Sequence, residues 1–134
     1  MNLTLEADYA VMLVQCLSEN YPKRMDAASI SKETGVTLRF SLKILSKLAG
    51  AKIVNSFKGA NGGYELARHP SLITLNDVIE TVEGPFTFNR CLTPGHICQN
   101  PSLCGHGDCR FQKVYDDISK EVVRRLQEVT FEIK

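Results

Sequence analysis

Six Cys and His side chains, residue types that commonly ligate metals, lie close together along this 134-residue chain, between residues 91 and 109. They are Cys91, His96, Cys98, Cys104, His106 and Cys109. The surrounding stretch, 84–109, contains three prolines and several glycines and cannot build a core of its own. Thiolates bound to a metal would order such a loop by coordination. The pattern therefore predicts a metal site.

The spacing of these cysteines leaves three kinds of site open. Structural zinc sites more often use two closely spaced Cys-x2–4-Cys pairs, one at each end of the site. Here the first two cysteines, Cys91 and Cys98, are too far apart to form such a pair. Iron–sulfur clusters accept more varied spacings, so we favour a cluster over zinc. Redox-active or structural thiols are the third interpretation. Residues 1–8 lack the features of a signal peptide, which predicts a cytoplasmic location, where disulfide frameworks are rare.

Composition narrows the class of protein that carries this loop. The chain is 43% hydrophobic and 23% charged, which is typical of one globular domain. Its apolar runs are far shorter than the ~20 residues that cross a bilayer. We therefore expect no membrane partner. Outside the loop, no acid, base and nucleophile are arranged as in an enzyme, so we expect neither catalysis nor a small-molecule substrate. A ferredoxin-like electron carrier is also disfavoured, because it would need neither the basic helix nor the hairpin described next.

Three helices are predicted in the first fifty residues. Apolar residues at helical spacing indicate the first over Leu5–Glu19, with Cys16 as a small core residue. Asp26 and Gly35 are suited to cap the second, Ala27–Thr34. Thr37 caps the third, which ends at Gly50. We expect its inward stripe to consist of Leu38, Leu42, Leu45 and Leu48, and its outer face of Arg39, Phe40, Lys43 and Lys47. This pair of helices indicates a helix-turn-helix.

A β-hairpin is predicted directly after the third helix. Residues 53–57 and 64–67 form two short strands around the Gly- and Asn-rich turn 58–63. A hairpin in this place is the layout of a winged helix. A phosphate-binding loop is disfavoured, because it needs a strand-to-helix transition and different glycine spacing.

Positive charge is concentrated in these same elements. Residues 37–58 contain five Lys or Arg and no Asp or Glu, although the whole chain has a formal net charge of only +1. A localised basic surface on a near-neutral protein favours contact with a polyanion, and the alternative is a solvated helix face.

Two further helices complete the prediction. Thr74 and Asp77 form the capping-box pattern of a fourth helix that ends at Gly84. The last helix begins near Cys109, and its narrow apolar stripe is Phe111, Val114, Ile118, Val122, Leu126 and Val129. A stripe of this length needs a partner surface. We favour a second copy of the chain, and the alternative is the chain's own first helix.

With these pieces in order, the chain resembles the Rrf-type family of bacterial winged-helix repressors, which includes IscR-, NsrR- and CymR-like proteins. The resemblance spans essentially the whole chain and is most specific where a G-x-x-G-G-Y wing is followed by the cysteine loop. It rests on LT at 3–4 with DYAV at 8–11, IS at 30–31 through GV at 35–36, KGANGGYEL at 58–66, and the cysteine loop before a long final helix. The family implies a homodimer that binds palindromic promoter DNA.

The same resemblance implies an iron–sulfur cluster, 2Fe–2S in preference to 4Fe–4S, held by three cysteines and a fourth ligand that is not cysteine. Here four cysteines are candidates for three places: Cys91, Cys98, Cys104 and Cys109. Asp8 matches the helix-1 aspartate of NsrR-like members, and His106 is an imperfect match to the histidine of IscR-like members. Glu6 is a third candidate.

The resemblance also implies a DNA-binding surface made by the third helix and the wing. Its residues are expected to be Thr37, Arg39, Phe40, Lys43, Lys47, Lys58, Gly59 and Asn61. We expect Phe40 either to contact a thymine methyl group or to pack against the wing. Where IscR-like members carry a base-contacting glutamate, this chain has Leu42.

The sequence thus predicts a mainly α protein with a small β-hairpin: a winged helix-turn-helix domain (1–84), a cluster-binding loop (85–109) and a dimerisation helix with a tail (110–134). The expected function is a DNA-binding regulator, a repressor, switched by the state of its cluster through iron–sulfur status, redox change or nitric oxide. The alternative is a cluster-free or zinc-binding winged-helix repressor that senses thiol state or a partner protein.

Overall fold

The computed structural model describes residues 3–89, 92 and 109–133. Within them the chain forms five α-helices, a two-stranded hairpin and a short 3₁₀ helix. In chain order these are α1 (Leu5–Glu19), α2 (Ala27–Thr34), α3 (Leu38–Gly50), β1 (Val54–Phe57), β2 (Gly63–Leu66), the 3₁₀ helix (Pro70–Leu72), α4 (Leu75–Glu83) and α5 (Arg110–Gln127). No helix in these ranges is long and apolar enough to cross a membrane. The mainly α fold with a small hairpin is confirmed.

Side-chain caps fix where the first four helices begin. The hydroxyl of Thr4 accepts from Ala7 N–H at 3.1 Å, and the Asp26 carboxylate accepts from Ser29 N–H at 2.8 Å. Thr74 and Asp77 form the predicted capping box at the start of α4. Because each cap satisfies a backbone donor that the helix leaves unpaired, these boundaries agree with those predicted.

The core lies between α1, α2, α3 and α4. Its largest fully buried side chains include Leu13, Leu17, Ile30, Ile44, Leu45, Leu48, Ile53 and Ile73. Phe131 of the C-terminal tail is also buried in this cluster. The tail is held there by two backbone hydrogen bonds, from Leu75 N–H to the Val129 carbonyl at 2.8 Å and from Phe131 N–H to the Ile73 carbonyl at 3.1 Å. Val129 therefore lies beyond the helix in which its spacing had placed it.

The predicted inward stripe of α3 is wrong in its first two positions. Leu38 is 46% exposed and Leu42 is 43% exposed, whereas Ile44, Leu45 and Leu48 are fully buried. The inward position in the first turns is taken by Ser41, whose hydroxyl donates to the Val36 carbonyl at 3.4 Å. A small hydroxyl that finds a backbone acceptor can be buried at little cost, so Ser41 is tolerated on the inward face with Ile44, Leu45 and Leu48, while both leucines lie on the outer face.

The hairpin pairs β1 and β2 antiparallel, from Val54 opposite Leu66 to Phe57 opposite Gly63. It is attached to the segment before α2, because Met25 and Tyr64 exchange backbone hydrogen bonds of 2.9 and 2.7 Å. Gly63 (φ 138°) lies at this junction, and a Cβ there would be 2.5 Å from the Met25 carbonyl oxygen. The close approach therefore requires glycine.

Candidate nucleic-acid interface and cysteine site

The outer face of α3 carries exposed basic side chains, and one of its lysines is held by α1. Arg39 and Lys43 are exposed. Lys47 is half-buried, and its Nζ lies 2.7 Å from Oε1 of Glu6, with Lys43 Nζ 3.9 Å from the same oxygen. The hydrogen bond from Lys47 holds the pKa of Glu6 below its usual value. The start of α1 is thus tied electrostatically to α3.

Two of the predicted DNA-binding residues also have roles within the chain. The Thr37 hydroxyl accepts from Phe40 N–H at 3.3 Å and so caps α3. The Phe40 ring lies 5.9 Å from the ring of Tyr9 on α1, in a tilted arrangement. The packing alternative for Phe40 therefore involves α1, where the wing had been expected.

The turn of the wing presents the remaining predicted residues to solvent. Lys58, Gly59 and Asn61 are all exposed. The backbone turns at Gly59, whose φ of 92° suits glycine.

A residue that the sequence did not single out, Arg24, positions the wing. Its guanidinium carbon lies 3.4 Å from the centre of the Phe57 ring. Its Nη1 donates to the Asn61 carbonyl at 2.9 Å, and Nη2 lies 3.9 Å from Glu65 Oε1. Arg24 therefore contacts the end of β1, the turn and β2 at once. No local sequence pattern predicts this role of Arg24, because its partners are more than thirty positions away along the chain.

Of the predicted cysteine ligands, only Cys109 is described. It is buried and is the N-cap residue of α5, a position where the helix dipole favours the negative charge of a thiolate. Cys91, Cys98, Cys104 and His106 lie outside the described residues. In the described ranges no three His, Cys, Asp or Glu side chains form a group that could hold a metal ion.

The two acidic candidates for the fourth ligand differ in their surroundings. Glu6 is engaged by Lys47 and Lys43. Asp8, one helical turn from the N-cap of α1, is exposed, and no described residue forms an ion pair or hydrogen bond with its carboxylate. Of the two carboxylates, only that of Glu6 is engaged by neighbouring side chains among the described residues.

A family model described as Rrf2, iron-dependent transcriptional regulator, matches residues 3–133. The chain belongs to the Rrf2 family. Protein aau3 of Rhizobium meliloti (strain 1021) is 36% identical over 106 residues, which are 78% of this chain and 69% of that protein. The transcriptional regulator IscR of Klebsiella pneumoniae (strain 342) is 31% identical over 134 residues, covering 97% of this chain and 77% of that protein.

Solved Rrf2-type structures have the same fold. CymR, the global cysteine regulator of B. subtilis, superposes with a TM-score of 0.74 at 22% identity, covering 98% of this chain and 94% of that one. T. potens IscR gives a TM-score of 0.72 at 22% identity, covering 98% and 83%. The predicted winged-helix family and the regulator class, as opposed to an enzyme, are thereby confirmed. This Rrf2 protein is a transcriptional regulator that binds DNA.

Proposed function

We propose that this Rrf2 protein is a homodimeric, iron–sulfur-cluster-dependent repressor that binds palindromic promoter DNA. The observation that carries the DNA-binding part of the proposal is the joint exposure of Arg39 and Lys43 on α3 and of Lys58 on the adjacent wing. Residues 37–58 themselves contain no Asp or Glu. In this proposal residues 1–84 bind DNA, 85–109 hold the cluster, and the helix within 110–134, which a tail follows, joins the two copies.

The proposed DNA contacts divide into two kinds. In the major groove, α3 would place Arg39 where its planar fork can donate two hydrogen bonds to guanine, with Lys43 and Lys47 on bases or phosphates. At the wing, Lys58 would contact the adjacent minor groove or its phosphates, Gly59 would let the backbone approach closely, and Asn61 would belong to the same DNA-binding surface. Base contacts determine sequence preference, whereas phosphate contacts strengthen binding to every sequence.

This division is tested by comparing Arg39→Ala with Lys58→Ala on a selected operator and on random duplex. Arg39→Ala should weaken operator binding by about ten- to a hundredfold and random binding far less. Lys58→Ala should weaken both similarly and reduce the salt dependence by about one phosphate contact. Lys120→Ala is the control, because that lysine is exposed on α5 beside Asp116. Equal losses on both duplexes for both variants would contradict the division.

The proposed cluster ligands are three of Cys91, Cys98, Cys104 and Cys109, with Asp8, His106 or Glu6 as the fourth. The donor set fits the group: thiolates are the ligands that iron–sulfur clusters use, and the described member, Cys109, is buried at a helix N-terminus. Among the acids, the exposure of Asp8 favours it over Glu6. A 2Fe–2S cluster bound there would make the site sensitive to oxidants, nitric oxide and iron–sulfur supply.

A continuous set of contacts connects Cys109 to the DNA-binding helix and supports the proposed switch. Cys109 is the N-cap residue of α5, and α5 packs against α4. At the end of α4, Oε1 of Glu83 accepts from Thr4 N–H at 2.6 Å, at the start of α1. Two residues after Thr4, Glu6 binds Lys47 of α3. A change at the cysteine site can therefore alter how α3 is held.

The cluster proposal is tested by the absorption spectrum, iron content and sulfide content of anaerobically purified protein. Single Cys→Ala variants at 91, 98, 104 and 109 should lose the visible band in three cases and keep it in the fourth. Cys16→Ala is the matched control and should keep it, because Cys16 is packed in the core. Colourless protein with bound zinc, or with no metal after anaerobic reconstitution, would contradict cluster binding.

A further inference from the structure

The exposed face of α3 is not purely basic. Leu38 and Leu42 are one helical turn apart, and both are exposed beside Arg39 and Lys43. Phe40, the third exposed apolar residue of this turn, already contacts Tyr9. The two leucines therefore present apolar surface at the centre of the face that is proposed to enter the major groove.

The chemistry of the major groove restricts what such a surface can recognise. Each base pair there presents hydrogen-bond donors and acceptors, which leucine cannot satisfy. The one apolar group on a base edge is the C5-methyl of thymine. A leucine held against any other base edge would remove polar groups from water without replacing their hydrogen bonds.

We propose that Leu42 is a specificity-determining residue that contacts a thymine methyl group in each half-site, with Leu38 extending the same apolar surface. The inference rests on the proposed DNA binding by α3. Leu42 follows Arg39 by three residues, a rise of about 4.5 Å along the helix, close to the ~3.4 Å spacing of base pairs. The thymine should therefore lie within about two base pairs of the guanine that Arg39 contacts.

The experiment removes only the methyl group. The preferred duplex is first selected with the full-length protein from random sequences. Each thymine of the half-site is then replaced by deoxyuridine, which pairs identically but lacks the methyl. At one position the wild-type protein should bind the thymine duplex about three- to tenfold more tightly, as expected for one buried methyl group. Leu42→Ala should bind both duplexes equally.

Leu72→Ala is the matched control, since Leu72 is 63% exposed in the 3₁₀ helix and lies outside the basic face. It should retain the wild-type preference for the methyl group. The proposal is overturned if no deoxyuridine substitution weakens wild-type binding, if the preference persists in Leu42→Ala, or if that variant instead loses its self-association.

The two proposals can fail separately. If Arg39→Ala still loses operator preference while the methyl group has no effect, DNA binding by α3 stands and the role of Leu42 is wrong. If the wild-type protein selects no sequence at all, the proposed operator binding fails, and the role of Leu42 fails with it.

Discussion

Among the cysteines, Cys16 has an environment that removes it from metal and redox chemistry. It lies on α1 and is buried in the hydrophobic core, with its Sγ 3.3 Å from Oε2 of Glu33 and 4.0 Å from Sδ of Met25. Burial foremost, and then the Glu33 carboxylate, raises the pKa of the Cys16 thiol to about 12. Since the thiolate is the form that ligates metals and attacks electrophiles, Cys16 stays inert at neutral pH.

Alkylation measures this inertness directly. Against an ordinary thiol value of 9.0, a pKa of about 12 lowers the thiolate fraction about a thousandfold at pH 8. Cys16 in the native protein should therefore react with iodoacetamide at least ~100-fold more slowly than in the unfolded chain, as followed by peptide mass spectrometry. Equal rates in the two states would contradict the burial of this thiol.

The same pKa shift has a consequence for stability at high pH. Well below pH 9 the thiol is protonated in both states, and its titration does not change the free energy of unfolding. As pH rises from 9 toward 12, the unfolded chain loses this proton while the folded one keeps it, so the free energy of unfolding should fall. In denaturant titrations, Cys16→Ala should show a smaller decline over this range than the wild-type protein. Identical declines would contradict the assignment.

At the scale of the elements, a carboxylate of α1 partly neutralises the positive charge of α3. Glu6→Gln removes the negative charge that engages Lys47 and Lys43. In the metal-free protein, where a ligand role of Glu6 does not enter, DNA binding should strengthen several-fold and its salt dependence should increase by about one phosphate contact. The measurement is a fluorescence titration at several salt concentrations.

Glu121→Gln is the control for this prediction. It removes the same charge from another ion-paired glutamate, one that is bound to Arg124 on α5. Equal strengthening by both variants would show an effect of net charge alone and would contradict a specific restraint on α3.

Local signals predicted the boundaries of the elements, and long-range contacts account for what the sequence could not predict. Capping residues such as Thr37 and Asp26 bond a backbone N–H only three residues later, so the first residue of each helix could be predicted from the sequence. The inward face of α3 was predicted wrongly because apolar residues occupy both of its faces: the buried stripe runs through Ser41, Ile44, Leu45 and Leu48, whereas Leu38 and Leu42 are exposed. Contacts of Arg24 and Glu6 join elements about forty positions apart and leave no periodic pattern.

For the whole molecule, α5 leaves apolar surface uncovered within the chain. Of the residues Arg110–Gln127, all of which the structure describes, only Ser119 is buried, and Phe111 and Val114 are exposed. Between α5, α4 and the segment after α4 runs an open groove of about 560 Å³, lined by Ile118, Val122 and Leu126 among others. The proposed dimer would cover this apolar stripe, as long amphipathic helices require.

A charge placed in the stripe should therefore dissociate the proposed dimer. Val114→Glu buries a carboxylate in the proposed interface and should shift micromolar protein from dimer to monomer in sedimentation analysis, with weaker binding to a two-half-site operator. Ile133→Glu is the control, because Ile133 is equally exposed at 53% but lies in the tail. A Val114→Glu protein that remains dimeric would contradict an interface at α5.

The central claim, that the state of the cluster switches DNA binding, is tested most directly by one titration. The same selected operator is titrated anaerobically with cluster-loaded protein and with protein stripped of its iron. A coupling of ordinary size between two sites predicts dissociation constants that differ about five- to 150-fold. Identical dissociation constants for the two forms, with the cluster verified by its spectrum, would contradict the account.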